Sequence, residues 1–295
     1  MPLKVRKLHP LFGGEASGID ISKSLSSAEV AEIVAAMDVY GILLFRGQPL
    51  SGDQQIAYAQ HFGPLDLGLR KINKTRVKHR LGHEALIDIS NIDESGNIAD
   101  RNSRKMFSQL ANQLWHSDSS FQQPAARYTT LHSAVNPSWG GETEFADLRA
   151  AWDALPDRTK AQIENLTSEH FALHSRINLL GDTGYTEAEK GVLPPVTWPL
   201  VRTHPGSGRK LLWVGIHATH IPGMHIGEGR LLLAELLEHA TQPDVVYRHH
   251  WQPGDTVMWD NRATIHRGMR YDLDERRELR RVSTEDVDVP ARQAA

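Results

Sequence analysis

The triplet His116-Ser117-Asp118 is the only His-x-Asp or His-x-Glu in a chain that holds 16 histidines. On an extended segment, residues i and i+2 point to one side, so an imidazole nitrogen of His116 and a carboxylate oxygen of Asp118 can meet a single ion from one face. His266, inside Trp259-Asp260-Asn261-Arg262-Ala263-Thr264-Ile265-His266, can close a triangle from a second strand. Two imidazoles and one carboxylate leave half of an octahedron open, which suits a non-haem Fe(II) centre that must accept a cosubstrate and O2 together. The spacing alone is what chance supplies, and by itself His116 reads as an ordinary hydrogen-bonded histidine. The chain has no cysteine, which removes disulfides, thiolate zinc sites, iron–sulfur clusters and a cysteine nucleophile. Any metal falls to His, Asp or Glu.

A second cluster lies at Arg276-Arg277-Glu278-Leu279-Arg280-Arg281. On a strand, Arg277 and Arg281 project to one face, and two guanidiniums there can each grip an organic acid in bidentate fashion. The bland reading is a solvated basic run balanced by Asp272, Asp274, Glu275 and Glu278. Likewise Gly140-Gly141 reads as a tight turn and Thr143 as an ordinary strand residue.

These residues need elements to hold them. At 295 residues, 40% hydrophobic and 23% charged, the composition is that of a globular protein, and one domain over 1–295 is the simplest division. No apolar run reaches transmembrane length, and Met1 to Pro10 lacks the apolar stretch of a secretory signal, so the cytoplasm is the expected compartment. A net charge of −3 argues against a surface built for nucleic acid or anionic membrane. Ser26 or Ser27 caps a helix through Val30, Ile33, Val34 and Met37, a buried strand Gly41 to Phe45 follows, and Ser51 caps a second helix. Asp147 caps a helix with Leu148, Ala151, Trp152 and Leu155 on one face, and Glu228 to His239 is amphipathic. Short β-type runs span Arg127 to Val135, Glu169 to Ser175, Leu200 to His204, Lys210 to Ile216, Val245 to Trp251, Thr256 to Trp259 and Leu279 to Ser283. Pro205-Gly206-Ser207-Gly208 joins two of them as a hairpin loop. The basic stretch Leu67 to His83 reads as a loop, and Asn178 to Pro199 as an irregular lid over a site. The expected fold is mostly β with helical insertions, a jelly roll rather than an alternating βαβ fold.

Several blocks in order carry a resemblance: His61-Phe62-Gly63-Pro64-Leu65, Leu114 to Phe121, Gly140-Gly141-Glu142-Thr143-Glu144-Phe145-Ala146-Asp147, Val201-Arg202-Thr203-His204-Pro205 and Met258-Trp259-Asp260-Asn261-Arg262. The chain is similar to the Fe(II)/2-oxoglutarate-dependent dioxygenases of the taurine dioxygenase family, and within it to the branch acting on aryloxyalkanoate herbicides. The resemblance implies a double-stranded β-helix core, Fe(II), 2-oxoglutarate and O2 as the reaction's requirements, and stimulation by ascorbate. It implies His116, Asp118 and His266 as iron ligands, Thr143 and Arg277 on 2-oxoglutarate, and Arg281 on the acid group of the prime substrate. Asn112 corresponds to a substrate-pocket position. Lys71, with Lys74 as its competitor, corresponds to a lysine on a mobile loop over the substrate, so that 67–83 and 178–199 are both expected to move. His217 matches a pocket histidine, against its plain reading as a packed structural residue. The implied reaction is hydroxylation next to an ether oxygen, releasing a phenol, glyoxylate from an oxyacetate, succinate and CO2. Rival readings are a taurine or alkylsulfonate dioxygenase releasing sulfite, a zinc hydrolase using the same three ligands, a non-catalytic jelly-roll binding module, and a nucleic-acid repair oxygenase drawing on the basic Arg70 to Arg80 stretch. The expected partners are a small anionic substrate and further copies of the chain, with neither nucleic acid nor membrane.

Overall fold

The computed structural model describes residues 2–73, 80–181 and 185–287. Strand β1 (Lys4–Lys7) pairs with β2 (Gly14–Ser17), and α1 (Ser27–Tyr40) leads into β3 (Ile42–Phe45). The α1 start is a capping box: the Ser26 hydroxyl accepts from Glu29 N while the Glu29 carboxylate accepts from Ser26 N. Its end is Gly41 at φ 71°, whose N–H donates to the Met37 carbonyl, a left-handed residue that glycine adopts without strain. Helix α2 (Gly52–Gln60), capped by Ser51, precedes β4 (Leu65–Asp66), the short α3 (Arg70–Asn73) and β5 (Ile87–Ser90). Helix α4 (Arg104–Leu110) and a 3-10 turn at Ala111–Gln113 then approach β6 (Ala126–Val135).

From β7 (Thr143–Asp147) the chain alternates between layers. Helices α5 (Leu148–Ala154) and α6 (Asp157–Ile163) follow, then β8 (Thr167–His170), α7 (His174–Leu180), α8 (Glu187–Lys190) and β9 (Val196–Pro199). β10 (Val201–Thr203) and β11 (Lys210–Leu212) form the expected hairpin around Pro205-Gly206-Ser207-Gly208, and β12 (Ala218–His220) pairs with β8. After α9 (Ile226–Ala240), β13 (Val246–His249) joins β7, β14 (Thr256–Asp260) returns to β3 and β6, β15 (Thr264–Gly268) takes the other edge of β7, and β16 (Glu278–Glu285) lies against β6. Among the described residues the larger sheet has the order β1-β2-β3-β14-β6-β16-β4, with β5 also on β16, and a smaller one runs β13-β7-β15. The protein is therefore sheet-rich, with helices packed outside the sheets.

Two-residue periodicity explains the layering. Ile42, Leu44, Val257 and Trp259 share one face of the larger sheet and pack on Phe145 of β7. Leu43, Phe45 and Met258 share the other face and meet Ile33, Ala36 and Met37 of α1. The outer side of the smaller sheet, through Ala146 and Ile265, is covered by α5 and α9. Each such large apolar side chain stabilises the fold by roughly 1.5–3 kcal/mol on burial. Among the described residues no helix is long and apolar enough to cross a membrane.

Four sequence expectations change. The stretch Glu169 to Ser175 is strand only to His170 and then turns into α7, and Lys210 to Ile216 ends as strand at Leu212 because the chain bends to bring Ile216 N onto the Trp115 carbonyl at 2.9 Å. The expected loop at 67–83 contains α3, and the expected irregular lid at 178–199 contains the end of α7, all of α8 and the regular strand β9. Helices of four to seven residues leave too little sequence for a 3.6-residue period to emerge.

Candidate active site

His116 and His266 face each other through an isolated antiparallel bridge, with His116 N donating to the His266 carbonyl at 3.0 Å and His266 N to the His116 carbonyl at 2.9 Å. Asp118 lies in a turn and not on a strand, so the same-side argument from strand geometry does not apply to it. The turn brings its carboxylate back: Nε2 of His116 lies 4.0 Å from Asp118 Oδ1, and Nε2 of His266 lies 3.9 Å from Oδ2. One ligand atom from each of the three residues lies within 4.8 Å of the others, and all three residues are buried. The Nδ1 of His116 is 2.7 Å from the Leu114 carbonyl, which fixes the proton on Nδ1 and leaves the Nε2 lone pair facing the carboxylate.

The electrostatics suit a cation. Burial lowers the pKa of both imidazoles, so each is neutral and able to donate a lone pair. Burial pushes the Asp118 carboxyl upward, but Arg281, the two histidines and the Thr129 hydroxyl outweigh it and hold the group down at about 2. The turn has its own buttress. Asn261 Oδ1 accepts from Asp118 N and from Trp259 Nε1, both at 3.0 Å, while its Nδ2 donates to Thr129 Oγ1 at 2.9 Å. Thr129 in turn donates to Asp118 Oδ2 at 2.9 Å. The block Trp259-Asp260-Asn261-Arg262 thus reaches the triad through Asn261, while Asp260 pairs with His204 at 3.0 Å and Arg262 at 2.7 Å. A second cluster of possible ligands, Asp38, His204 and Asp260, is drawn into that ion-pair network.

Two cavities meet at this point. One, of about 470 Å³, is walled by Thr143, Trp259, His266, Tyr271 and Arg277. The other, of about 590 Å³, is walled by Asp118, Phe121, Arg176, Tyr185 and His217. Ile89, Gln109, Asn112, His116 and Arg281 belong to both. In the first cavity the Arg277 guanidinium is buried, donates to the Gly141 carbonyl at 3.1 Å and lies 5.1 Å from the Tyr271 ring centre. Among the described residues no carboxylate lies within ion-pair distance of it, its Nε is without a partner, and burial lowers its pKa to about 10. Thr143 Oγ1 accepts from Trp251 Nε1 at 3.0 Å. Gly140 and Gly141 adopt φ of 74° and 79°, and a Cβ on Gly140 would fall 2.1 Å from the Arg270 carbonyl, so this turn requires glycine.

Of the residues singled out from sequence, Asn112, Thr143, Arg277 and Arg281 line the first cavity, and Asn112, Arg281 and His217 the second. Arg277 stands one residue before β16 and a β-bulge separates Glu278 from Leu279, so the shared strand face expected for the two arginines does not hold, yet both reach the first cavity. Arg281 Nη1 is 2.5 Å from Asp118 Oδ1. His217 is buried with its ring 4.9 Å from Phe121 and 6.2 Å from His116. Lys71 does not join them: its Nζ faces Gln122 Oε1 at 3.3 Å, Glu285 at 3.6 Å and Asp66 at 3.8 Å, away from both cavities. Its neighbour Arg70 reaches the second cavity instead, and Lys74 lies outside the described residues. Arg176 and Tyr185, also in that wall, stand in a stretch whose sequence has no period or motif to single them out.

Residues 4–283 match the model of the taurine catabolism dioxygenase TauD, TfdA family, and the chain belongs to that family. It is 56% identical to the alpha-ketoglutarate-dependent 2,4-dichlorophenoxyacetate dioxygenase of Cupriavidus pinatubonensis, over 97% of this chain and 99% of that one. It is 34% identical to the (S)-phenoxypropionate/alpha-ketoglutarate-dioxygenase of Sphingobium herbicidovorans, over 92% of this chain and 91% of the relative. The crystal structure of AAD-2 in complex with Mn(II) and N-oxalylglycine superposes with a TM-score of 0.92 at 44% identity, covering 98% of this chain and 99% of the other.

Proposed function

We propose that the protein is an Fe(II)- and 2-oxoglutarate-dependent dioxygenase that oxidises aryloxyalkanoates such as 2,4-dichlorophenoxyacetate on the carbon next to the ether oxygen. On this reading the two facing sheets are the halves of a double-stranded β-helix, residues 1–295 form one domain, and the protein works as a homo-oligomer in the cytoplasm. The observation that carries it is a buried guanidinium, Arg277, without a carboxylate partner, in a cavity lined by the two neutral imidazoles that stand beside the ionised Asp118. A buried cation of this kind calls for an anion, and the family's cosubstrate is one.

The donor set fits Fe(II): two imidazole nitrogens and one carboxylate oxygen, all buried, with their ligand atoms within 4.8 Å of one another. His116, Asp118 and His266 would hold the metal, which when bound supplies the activation of O2. Arg277 would pair with one carboxylate of 2-oxoglutarate, helped by the Thr143 hydroxyl, and Tyr271 and Trp259 wall that cavity against water. Arg281, Asn112 and His217 would face the prime substrate, with Arg281 gripping its acid group and aiming one C–H bond at the reacting centre. One oxygen atom enters succinate as 2-oxoglutarate loses CO2, and the other becomes a hydroxyl on the ether carbon. The hemiacetal so formed releases a phenol and, from an oxyacetate, glyoxylate. Ascorbate is expected to sustain turnover.

The 56% identity to a dioxygenase named for 2,4-dichlorophenoxyacetate favours an aryloxyalkanoate over taurine or an alkylsulfonate, although Arg281 could hold either anion. The test is aerobic incubation with Fe(II), ascorbate and 2-oxoglutarate against phenoxyacetates, 2-phenoxypropionates and alkylsulfonates, reading succinate, phenol and sulfite together. Phenol with succinate supports the reading. Sulfite without phenol refutes it in favour of the sulfonate, and product without any need for 2-oxoglutarate or O2 refutes the oxygenase.

A further inference from the structure

Ser119 is the only non-glycine residue with positive φ among the described residues, at 52°, and it directly follows Asp118. Residues with a Cβ rarely adopt this region, and where they do something nearby must hold them there. The contact that holds it is Asp66. Ser119 Oγ donates to Asp66 Oδ2 at 2.5 Å, while Asp66 Oδ1 accepts from Gln122 Nε2 at 2.9 Å and from Gly68 N at 2.8 Å. Asp66 is only 3% exposed, and its nearest cation is Lys71, whose Nζ stands 3.8 Å from Oδ1. The fit is tight, since a Cβ on Gly68 would come within 3.1 Å of Ser119 Oγ. Leu67, Gly68, Leu69 and Arg70 also form part of the wall of the second cavity.

We infer that Asp66 is a positioning residue for Asp118, acting through Ser119, and that it couples the wall of the substrate cavity to the turn that presents the carboxylate. Asn261 and Thr129 hold Asp118 itself from the side of the larger sheet. Asp66, on β4 of the same sheet, holds the residue after it, where the backbone turns left-handed as the chain leaves the carboxylate. The inference gives Lys71 a place as well: its ammonium supports the Asp66 and Gln122 cluster from outside, away from the substrate. It rests on the reading that Asp118 holds a metal ion.

The test uses the full chain and Co(II) as the probe, titrated anaerobically by calorimetry and by visible absorption, together with thermal denaturation and the KM for substrate and for 2-oxoglutarate. Asp66→Ala should weaken Co(II) binding at least fivefold and raise the KM for the aryloxyalkanoate, leaving the KM for 2-oxoglutarate within twofold. Asp66→Asn keeps an oxygen acceptor for the cluster and should return Co(II) binding to within twofold of wild type. Ser119→Gly relaxes the backbone angle but removes the hydroxyl, so it should weaken Co(II) binding without a fall in Tm. Ile33→Ala, in the remote α1 core, is the control for general destabilisation and should leave Co(II) affinity unchanged. The inference is overturned if Asp66→Ala and Ser119→Gly bind Co(II) within twofold of wild type, or if Ile33→Ala loses affinity as they do. A wild-type protein that binds no Co(II) overturns the metal reading itself, and the inference with it.

Discussion

Arg277 makes a prediction in which stability and binding move in opposite directions. With no carboxylate within ion-pair distance among the described residues, its burial lowers the guanidinium to about 10 from an ordinary 12.5. At about 1.36 kcal/mol per unit, that difference is a cost of about 3 kcal/mol for keeping the charge inside the cosubstrate-free protein. Arg277→Met keeps an unbranched apolar stem beside Tyr271 and removes the charge, along with hydrogen bonds to the carbonyls of Gly141 at 3.1 Å and Ile89 at 3.5 Å. Losing those bonds, of which the one at 3.5 Å is weak, costs about 1.5–2 kcal/mol, so the variant should be more stable than wild type by about 1 kcal/mol without 2-oxoglutarate. The same change removes a charge-assisted pair with the cosubstrate, so the dissociation constant for 2-oxoglutarate should rise by about thirtyfold or more. Urea unfolding at pH 7.5 with and without 2-oxoglutarate reads both effects. A variant less stable than wild type without the cosubstrate, or one that still gains stability from 2-oxoglutarate as wild type does, would refute the reasoning.

Arg281→Gln should raise the substrate KM at least tenfold with the KM for 2-oxoglutarate unchanged, and should raise succinate formed per phenol, because the acid group is no longer aimed; parallel succinate and phenol assays check this. Gly140→Ala forces a Cβ against the Arg270 carbonyl at φ 74°, so it should destabilise the protein by roughly 2 kcal/mol or more and weaken 2-oxoglutarate binding by shifting the neighbouring Gly141 carbonyl, measured by urea unfolding and cosubstrate titration. His170, buried between Ser168 and Ser120, has its pKa lowered by burial to about 3. A folded pKa below the unfolded value of 6.5 means that the unfolded chain binds the extra proton, so this contribution to stability is complete above 6.5 and is lost as pH falls towards 3. Between pH 7.5 and 5.0 the loss is about 2 kcal/mol. Urea unfolding of His170→Asn at the two pH values should show that much less pH dependence than wild type, and an equal dependence would count against the buried neutral imidazole.

The parts of the site that were legible in the sequence are those where chemistry limits the choice of residue. With cysteine absent, His116, Asp118 and His266 are the residues to consider for a metal, and the structure brings them together; the arginines at 277 and 281 are the expected anion partners, and both line the first cavity. Long elements were equally plain: α1 carries its capping box, α9 its apolar face and β6 its run of β-type residues in the residue order. The turn after Asp118 was not legible, because nothing in Ser119 announces a left-handed residue held by a partner 53 positions away. Lys71 was misplaced for a related reason. A basic residue in a polar stretch carries no mark of which way it faces, and its neighbour Arg70 is the one that reaches the cavity. Short helices such as α3, α7 and α8 offer only four to seven positions, too few for a period of 3.6 residues to show.

The central claim is that oxygen from O2 is inserted at the ether carbon of an aryloxyalkanoate, with 2-oxoglutarate as the partner in oxidation. Turnover of 2,4-dichlorophenoxyacetate under ¹⁸O₂, with mass analysis of succinate and phenol, tests it most directly. The account predicts succinate carrying one ¹⁸O atom and a phenol that keeps its original, unlabelled ether oxygen, in equal amounts. Label in the phenol, or phenol released without labelled succinate, would contradict it.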